Sequence, residues 1–178
     1  MSIASEIEAL GHERVEKIRE IGRREHISGV LLLAMAHRET GMRNIVGDGG
    51  HGRGIMQIDD RFHANWLSEH KGCRSGSFKA TFDSTLPAGR VPSLVAGVKK
   101  ACELLNQNIA FAKSNGVPDG KRLRFAVAAY NAGPGNALKG FRTGDVDKFT
   151  AHGDYSRDVL AQRAEVKQAL AHAVPVHG

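Results

Sequence analysis

The chain has 178 residues, 41% of them hydrophobic and 25% charged, a length suited to one domain and a composition that excludes a disordered, collagen-like or coiled-coil protein. Its longest near-apolar run, Ile27 to Ala36, covers ten residues and is interrupted by Ser28 and Gly29; a bilayer span needs about 20, so a helical membrane channel is excluded too. The net charge of +6 favours a polyanionic partner, a description that nucleic acid, an anionic glycan and an acidic membrane surface all meet.

In the first 25 residues there are eleven charged side chains and no apolar stretch, so no secretory leader is expected there. From Ile3 to about Arg24 the apolar positions Ile3, Ile7, Leu10, Val15, Ile18 and Ile21 recur at three- and four-residue steps within each half, which predicts helix with a break or kink at Gly11. Ser28 is a candidate N-cap for a second helix, apolar on nearly every side, that ends at Thr40-Gly41 with Gly41 suited to a left-handed C′ position. Five glycines between 47 and 54 permit turns and close backbone approach; a small hairpin near Ile55-Met56-Gln57-Ile58 is the only β-structure expected.

A short helix is expected over Arg61–Leu67, followed by a loop rich in Gly, Ser and Lys from Lys71 to Gly89. Pro92 is placed at the first turn of a long helix whose apolar face comprises Leu94, Val95, Val98, Ala101, Cys102, Leu105, Ile109 and Ala112. A further helix from about Gly120 to Ala132 is stopped by Gly133-Pro134-Gly135, and the last runs from roughly Tyr155 to Ala173. There is no internal repeat, low-complexity tract or linker. The expectation is one mainly α domain over 1–178, with 1–24 as an N-terminal helical extension. Two cysteines define no disulfide framework, and a Cys73–Cys102 bridge is left open.

Three acids surround the glycine loop. Glu39 ends an almost wholly apolar helix; burial there would disfavour the charged form and leave a carboxylic acid able to protonate a leaving oxygen. From position alone, pairing with Arg38, Arg43 or Lys71 is the commoner fate of such a residue. Asp48 and Asp59 flank the loop and could together hold and deprotonate a water, as inverting glycoside hydrolysis requires. Each also has a plain alternative, Asp48 in an Asp-Gly turn and Asp59 or Asp60 as a helix cap. Tyr130 is expected to turn its ring inward and offer its hydroxyl to a buried partner, either Glu39 or a backbone carbonyl. Asn131 could bind an acetamido group or cap its helix. His37, His51, His63 and His70 lack zinc-ligand spacing, the glycine stretch lacks the Lys-Ser/Thr ending of a phosphate loop, and no serine has a nucleophile-elbow context. No metal site is expected.

Five segments, in order, are His37-Arg38-Glu39-Thr40, Gly47-Asp48-Gly49-Gly50-His51-Gly52, Gly54-Ile55-Met56-Gln57-Ile58-Asp59, Ala129-Tyr130-Asn131-Ala132-Gly133-Pro134-Gly135-Asn136 and Asp154-Tyr155-Ser156-Arg157-Asp158-Val159. Together they resemble the goose-type lysozymes and the related lytic transglycosylases, over about Ile18 to Ala171. The resemblance implies a single lysozyme-like domain, mainly α, of about seven helices with a small β-hairpin beside the cleft. It implies that Glu39 is the general acid on the β-1,4 bond between N-acetylmuramic acid and N-acetylglucosamine, and that Asp59, assisted by Asp48, positions the attacking water for inversion. Gln57, Tyr130 and Asn131 map onto cleft positions that bind sugar or support the acid; His63 is implied to contact a sugar and Tyr155 to line the cleft. Two departures stand out: the stretch from Glu39 to Asp48 looks shorter than in the animal enzymes, and Thr40 replaces the familiar serine after the acid. The animal cysteine pattern is also missing, which fits a bacterial or phage origin.

Two rival readings remain at this stage. A lytic transglycosylase would use Glu39 alone as acid and then base, with the substrate's own hydroxyl attacking to give a 1,6-anhydro product; the two aspartates favour water instead. A non-catalytic basic module binding wall polymer or nucleic acid would explain the charge, but Lys and Arg are scattered and not gathered on one helix. Under the leading reading no cofactor is needed, the partners are peptidoglycan strands and not nucleic acid, a proteinaceous lysozyme inhibitor is admitted as a further partner, the protein is a monomer, and it acts on the cell wall with no signal peptide in sight.

Overall fold

A computed structural model of the chain describes residues 1–80 and 89–173. The expected loop from Lys71 to Gly89 therefore falls in part outside the described residues. Among those described, eight α-helices and two small antiparallel sheets make a mainly helical, lysozyme-like protein. Two compact units are present, one comprising Met1–Ala101 and the chain from Ala164 onward, the other Cys102–Arg163.

In the first unit, α1 (Ile3–Leu10) and α2 (His12–Arg24) are separated at Gly11, which adopts φ 87°. The break expected there is thus a full helix boundary. Ile3, Ile7, Leu10, Val15, Ile18 and Ile21 are all buried, as their spacing requires. Helix α3 (Gly29–Thr40) buries every side chain from Leu31 to Met35 and Ala36 as well, so it runs through the middle of the unit. Ser28 holds the N-cap position without a side-chain capping bond. At the other end Gly41 is left-handed (φ 59°, ψ 43°); its N–H donates to the His37 carbonyl, the single bond of an αL cap, and that of Met42 to Ala36.

The chain then forms three two-residue strands, β1 (Val46–Gly47), β2 (Gly52–Arg53) and β3 (Ile58–Asp59), in antiparallel order β1-β2-β3. Asp59 starts α4 (Asp60–Glu69) as its N-cap. The β-structure exceeds the single hairpin expected from the sequence. β4 (Gly72–Arg74) lies inside the expected loop and pairs with β5 (Arg90–Pro92). Pro92 accordingly ends a strand, and α5 starts two residues later, spanning Leu94–Ser114. A proline tolerated at a helix start is equally tolerated at a strand edge, where no ladder donor is needed. On α5, Leu94, Val98, Ala101, Cys102, Leu105 and Ala112 are buried, whereas Val95, about 100° round the helix from Leu94, is exposed. Neither Cys73 nor Cys102 is in a disulfide; both are buried, and burial pushes the Cys73 thiol up.

The second unit holds α6 (Asp119–Ala132) and α7 (Pro134–Arg142), with α8 (Tyr155–Ala173) starting in it. The sequence reading ends helix at Gly133-Pro134-Gly135. In the structure Pro134 is instead the first residue of a new helix, since its fixed φ and missing N–H suit an N1 position. Ala112, Val117, Phe125, Ala128, Ala129, Ala137, Leu138 and Val146 form a core in this unit. Phe125 stacks on Phe111 with ring centres 6.2 Å apart and meets Phe141 edge-on at 6.3 Å. Beside this core the fully buried Asp147 accepts from the Ser156 hydroxyl (2.7 Å), the backbone N–H of Ser156 (2.8 Å) and Arg157 (3.2 Å), and Arg124 Nη2 (3.2 Å). It thereby ties α6 to the first turn of α8. Burial alone would raise its pKa; the hydrogen bonds from Ser156, Arg124 and Arg157 prevail and hold it below the usual carboxylate range.

Candidate active site

Glu39 lies in the last turn of α3 and is half-buried, unlike the fully enclosed residues before it. The amphipathic change at this turn is abrupt: Ala36 is buried, His37, Arg38 and Glu39 are partly exposed, and Thr40 is buried again. His37 Nδ1 is 2.6 Å from Glu6 Oε2, a buried carboxylate of α1. The Thr40 hydroxyl is 3.1 Å from the Ala36 carbonyl and 3.2 Å from the Ile55 carbonyl, and accepts from the Arg43 N–H at 3.1 Å. The end of α3 that carries Glu39 is therefore tied directly to the turn before β3.

The sheet register gathers the two aspartates. Gly47 pairs with Gly52 and Gly52 with Asp59, so Asp48, directly after β1, is brought round to the edge where β3 ends. Asp48 takes a left-handed conformation (φ 48°), which aspartate tolerates better than most residues. Its side chain is exposed, that of Asp59 three-quarters covered. Arg61 joins them. Its Nη2 donates to Asp48 Oδ2 at 2.9 Å and to Asp59 Oδ2 at 2.5 Å, its Nε donates to Asp59 Oδ1 at 3.0 Å, and its backbone N–H donates to Asp59 Oδ1 at 2.8 Å. The guanidinium hydrogen bond holds the Asp59 carboxyl below the ordinary aspartate value, against the opposing effect of burial. Arg61 is a residue that the sequence motifs do not single out; its signal is an arginine two positions after a carboxylate that also caps a helix.

Asp60 forms a separate cluster. It accepts from Arg53 Nη2 at 2.9 Å, with His51 Nδ1 at 2.8 Å, and these contacts, His51 foremost, lower its pKa too. Arg53 Nη1 in turn donates to the Arg90 carbonyl of β5. Asn44, also unanticipated, is buried: its Oδ1 accepts from the Ile55 N–H at 3.0 Å while its Nδ2 donates to the Ser77 and Pro92 carbonyls. A lone asparagine after a helix gives no periodic signal, so only the tertiary structure reveals this hub.

Gln57 sits at φ 48° with Nε2 donating to the Ile45 carbonyl (3.1 Å) and the Gly54 carbonyl (2.8 Å). Its Oε1 lies over Gly47 and Gly52, where any Cβ would collide with it. Gln57 thus braces the strands between the two aspartates, and the bare backbone at 47 and 52 makes the room. His63 interrupts the helical dihedrals of α4 (φ −128°, ψ 26°) and lines a shallow depression with Arg61, Phe62, Ala64, Asn65 and Trp66. Phe62 is 78% exposed there.

The remaining expected site residues belong to the second unit. Tyr130 is half-buried near the end of α6. Asn131 is exposed, and its Oδ1 accepts from the Ala151 N–H at 2.8 Å, tying α6 to a short turn and not capping its own helix. Tyr155 is buried at the start of α8, its N–H donating to the Thr150 hydroxyl. Among the described residues no group of three or more His, Cys, Asp or Glu is arranged to hold a metal, and no helix is long and apolar enough to cross a membrane.

The chain is similar to avian proteins named lysozyme g. It is 25% identical over 158 residues to that of Struthio camelus and 28% identical over 155 residues to that of Dromaius novaehollandiae, in both cases covering 85% of this chain and 64% of the relative. To lysozyme g of Casuarius casuarius it is 24% identical over 155 residues, covering 85% of this chain and 71% of that protein. The chain thus spans about two-thirds of the length of the relatives it matches, a little less for the first two. No family model matches it. Weak in identity and long in extent, these similarities support the goose-type lysozyme family.

Proposed function

We propose that this protein is a glycoside hydrolase of the goose-type lysozyme kind, a muramidase that cleaves the β-1,4 bond between N-acetylmuramic acid and N-acetylglucosamine in peptidoglycan. The observation that carries the reading is the juxtaposition of Asp48 and Asp59 on one guanidinium, at the edge of a sheet to which Thr40 ties the end of α3 that carries Glu39. Sequence similarity to lysozyme g over most of the chain supports it.

In this reading Glu39 donates its proton to the glycosidic oxygen as the C–O bond breaks. Asp59, with Asp48 beside it, orients a water and accepts its proton as the water oxygen attacks the anomeric carbon, which inverts. An acid that must be protonated and a base that must be ionised call for different surroundings. Asp59 has the surroundings of the base: paired, hydrogen-bonded and lowered in pKa. Gln57 supports the site by bracing the strands, while His63, Tyr130, Asn131 and Tyr155 are assigned to sugar contacts or to support of the acid. The positive charge concentrates the protein on anionic cell walls, an attraction that weakens with salt.

Product analysis on purified peptidoglycan tests substrate and chemistry together. Hydrolysis leaves a reducing N-acetylmuramic acid, whereas an anhydro sugar, one water lighter, would reassign the protein to the transglycosylases. Replacement of Glu39 by Gln is expected to abolish clearing of cell-wall suspensions and leave wall binding intact. Undiminished clearing by Glu39→Gln would remove Glu39 as the acid.

A further inference from the structure

We propose that Arg61 is a positioning residue for the reaction: its guanidinium, bonded at once to Asp48 and Asp59, fixes the spacing and orientation of the two carboxylates that hold the attacking water. The inference rests on the proposed glycosidase reading and adds to it a residue that neither the sequence motifs nor the chemistry of inversion calls for.

The geometry is that of one guanidinium edge shared by two carboxylates. Nε and Nη2 take the two oxygens of Asp59 side by side, and Nη2, which carries two protons, also reaches Asp48 Oδ2. A lysine ammonium could meet one carboxylate or the other but has no planar edge with which to orient Asp59. Asp59 is held from a third direction, because it caps α4 through the backbone N–H of Arg61 itself. The side chain that steers Asp59 is therefore anchored by the residue it steers. Asp48 lacks such an anchor. It follows β1 in a left-handed conformation beside Gly49 and Gly50, and its side chain is largely in solvent. Among the described residues it is Arg61 that fastens its carboxylate, through Nη2.

Electrostatics points the same way. Two carboxylates bonded to a single nitrogen repel, and without a cation one of them would tend to take up a proton, which removes a water acceptor. The charged groups acting here are few. Arg61 and His51 act on Asp59; Asp48, Asp59 and Asp60 act on Arg61; Asp60 is itself engaged by His51 and Arg53. Of the two groups, Arg61 has the larger effect on Asp59 and is the one in contact.

The test compares the full-length protein with Arg61→Ala, Arg61→Lys and Glu39→Gln on purified peptidoglycan, with the Asp59 carboxyl carbon titrated by NMR. Arg61→Ala is expected to lose about 10- to 100-fold in kcat with little change in KM, the cost of carboxylates held slightly out of place. The acid limb of its pH–rate profile and the Asp59 titration should both move to higher pH. Arg61→Lys should restore part of the acid limb, through its charge, while kcat stays low for want of the fork. Arg61 is half-exposed, so both variants are expected to fold, with thermal melts as the check. Should Arg61→Ala melt early, the Arg61→Lys comparison and its Asp59 titration decide. Wild-type kcat and an unmoved acid limb in a folded Arg61→Ala, or a gain in activity from freeing the carboxylates, would overturn the inference while loss of activity in Glu39→Gln leaves the glycosidase reading standing. Full activity in Glu39→Gln would remove Glu39 as the acid, and kcat and the Asp59 titration of Arg61→Ala would then decide the Arg61 inference alone.

Discussion

Thr40 and Ile55 are joined by a hydrogen bond that spans fifteen residues: the buried Thr40 hydroxyl lies 3.2 Å from the Ile55 carbonyl, at the base of the turn leading into β3. The same hydroxyl accepts from the Arg43 N–H, so one oxygen atom links the last turn of α3, the segment after it and the sheet that carries the aspartates. Glu39 is its immediate neighbour. The relative placement of Glu39 and the strands is therefore coupled to an ordinary threonine.

Replacing Thr40 by Val keeps the volume and removes those bonds, leaving the part-buried Arg43 N–H and the buried Ile55 carbonyl short of a partner. The expected cost is about 1–3 kcal/mol in chemical denaturation, with cell-wall clearing reduced by more than stability alone accounts for. Thr40→Ser, which keeps the hydroxyl, should restore both. Equal behaviour of the Val and Ser variants would mean the hydroxyl has no role.

Gly41 closes α3 at φ 59°, where a Cβ would also stand 3.2 Å from Glu6 Oε1. Gly41→Ala is expected to lower stability by roughly 1 kcal/mol from the left-handed backbone alone, and further if the Glu6–His37 contact has to yield. A thermal melt indistinguishable from wild type would contradict this.

Gly52 illustrates a different constraint, since its backbone is extended and only space is at issue. A methyl there runs into Gln57 Oε1, whose amide nitrogen is fixed by the Ile45 and Gly54 carbonyls. Gly52→Ala should destabilise by about 1–3 kcal/mol through overpacking. The double variant Gly52→Ala with Gln57→Ala should recover part of that loss, because the clash is gone. Urea denaturation of the two single variants and the pair measures the coupling directly.

Asp147 predicts a dependence on pH. Its folded pKa is depressed, so the carboxylate contributes stability that is fully present above the unfolded aspartate value and is lost as pH falls through the lower folded value. Asp147→Asn keeps the shape and loses the charge. It should cost about 2–4 kcal/mol near pH 7, where the donors around it lose an ionised acceptor, and the gap from wild type should narrow as the solution is acidified below the ordinary carboxylate range. A gap unchanged between neutral and acid solution would place the stabilisation elsewhere.

The sequence by itself determined the first three helices and where they break. Periodicity of Ile3, Ile7 and Leu10, then of Val15, Ile18 and Ile21, specified the first two helices, and Gly11 and Gly41 marked boundaries because a left-handed or extended glycine is a local property of the chain. The same local chemistry flagged Glu39, Asp48 and Asp59 as acids around a glycine loop. Pairings between distant residues decided the rest. β4 and β5 are three residues each and lie sixteen apart in the chain at their nearest paired ends, Arg74 and Arg90, too short for any period to appear. Pro134 could end one helix or start another, and packing of Ala137 and Leu138 onto the Phe125 core chose the second. Asn44, Gln57 and Arg61 gained their roles in the same way, from carbonyls and carboxylates supplied by other segments, and hydrogen bonds formed across such separations leave no trace in the order of residues until the chain has folded.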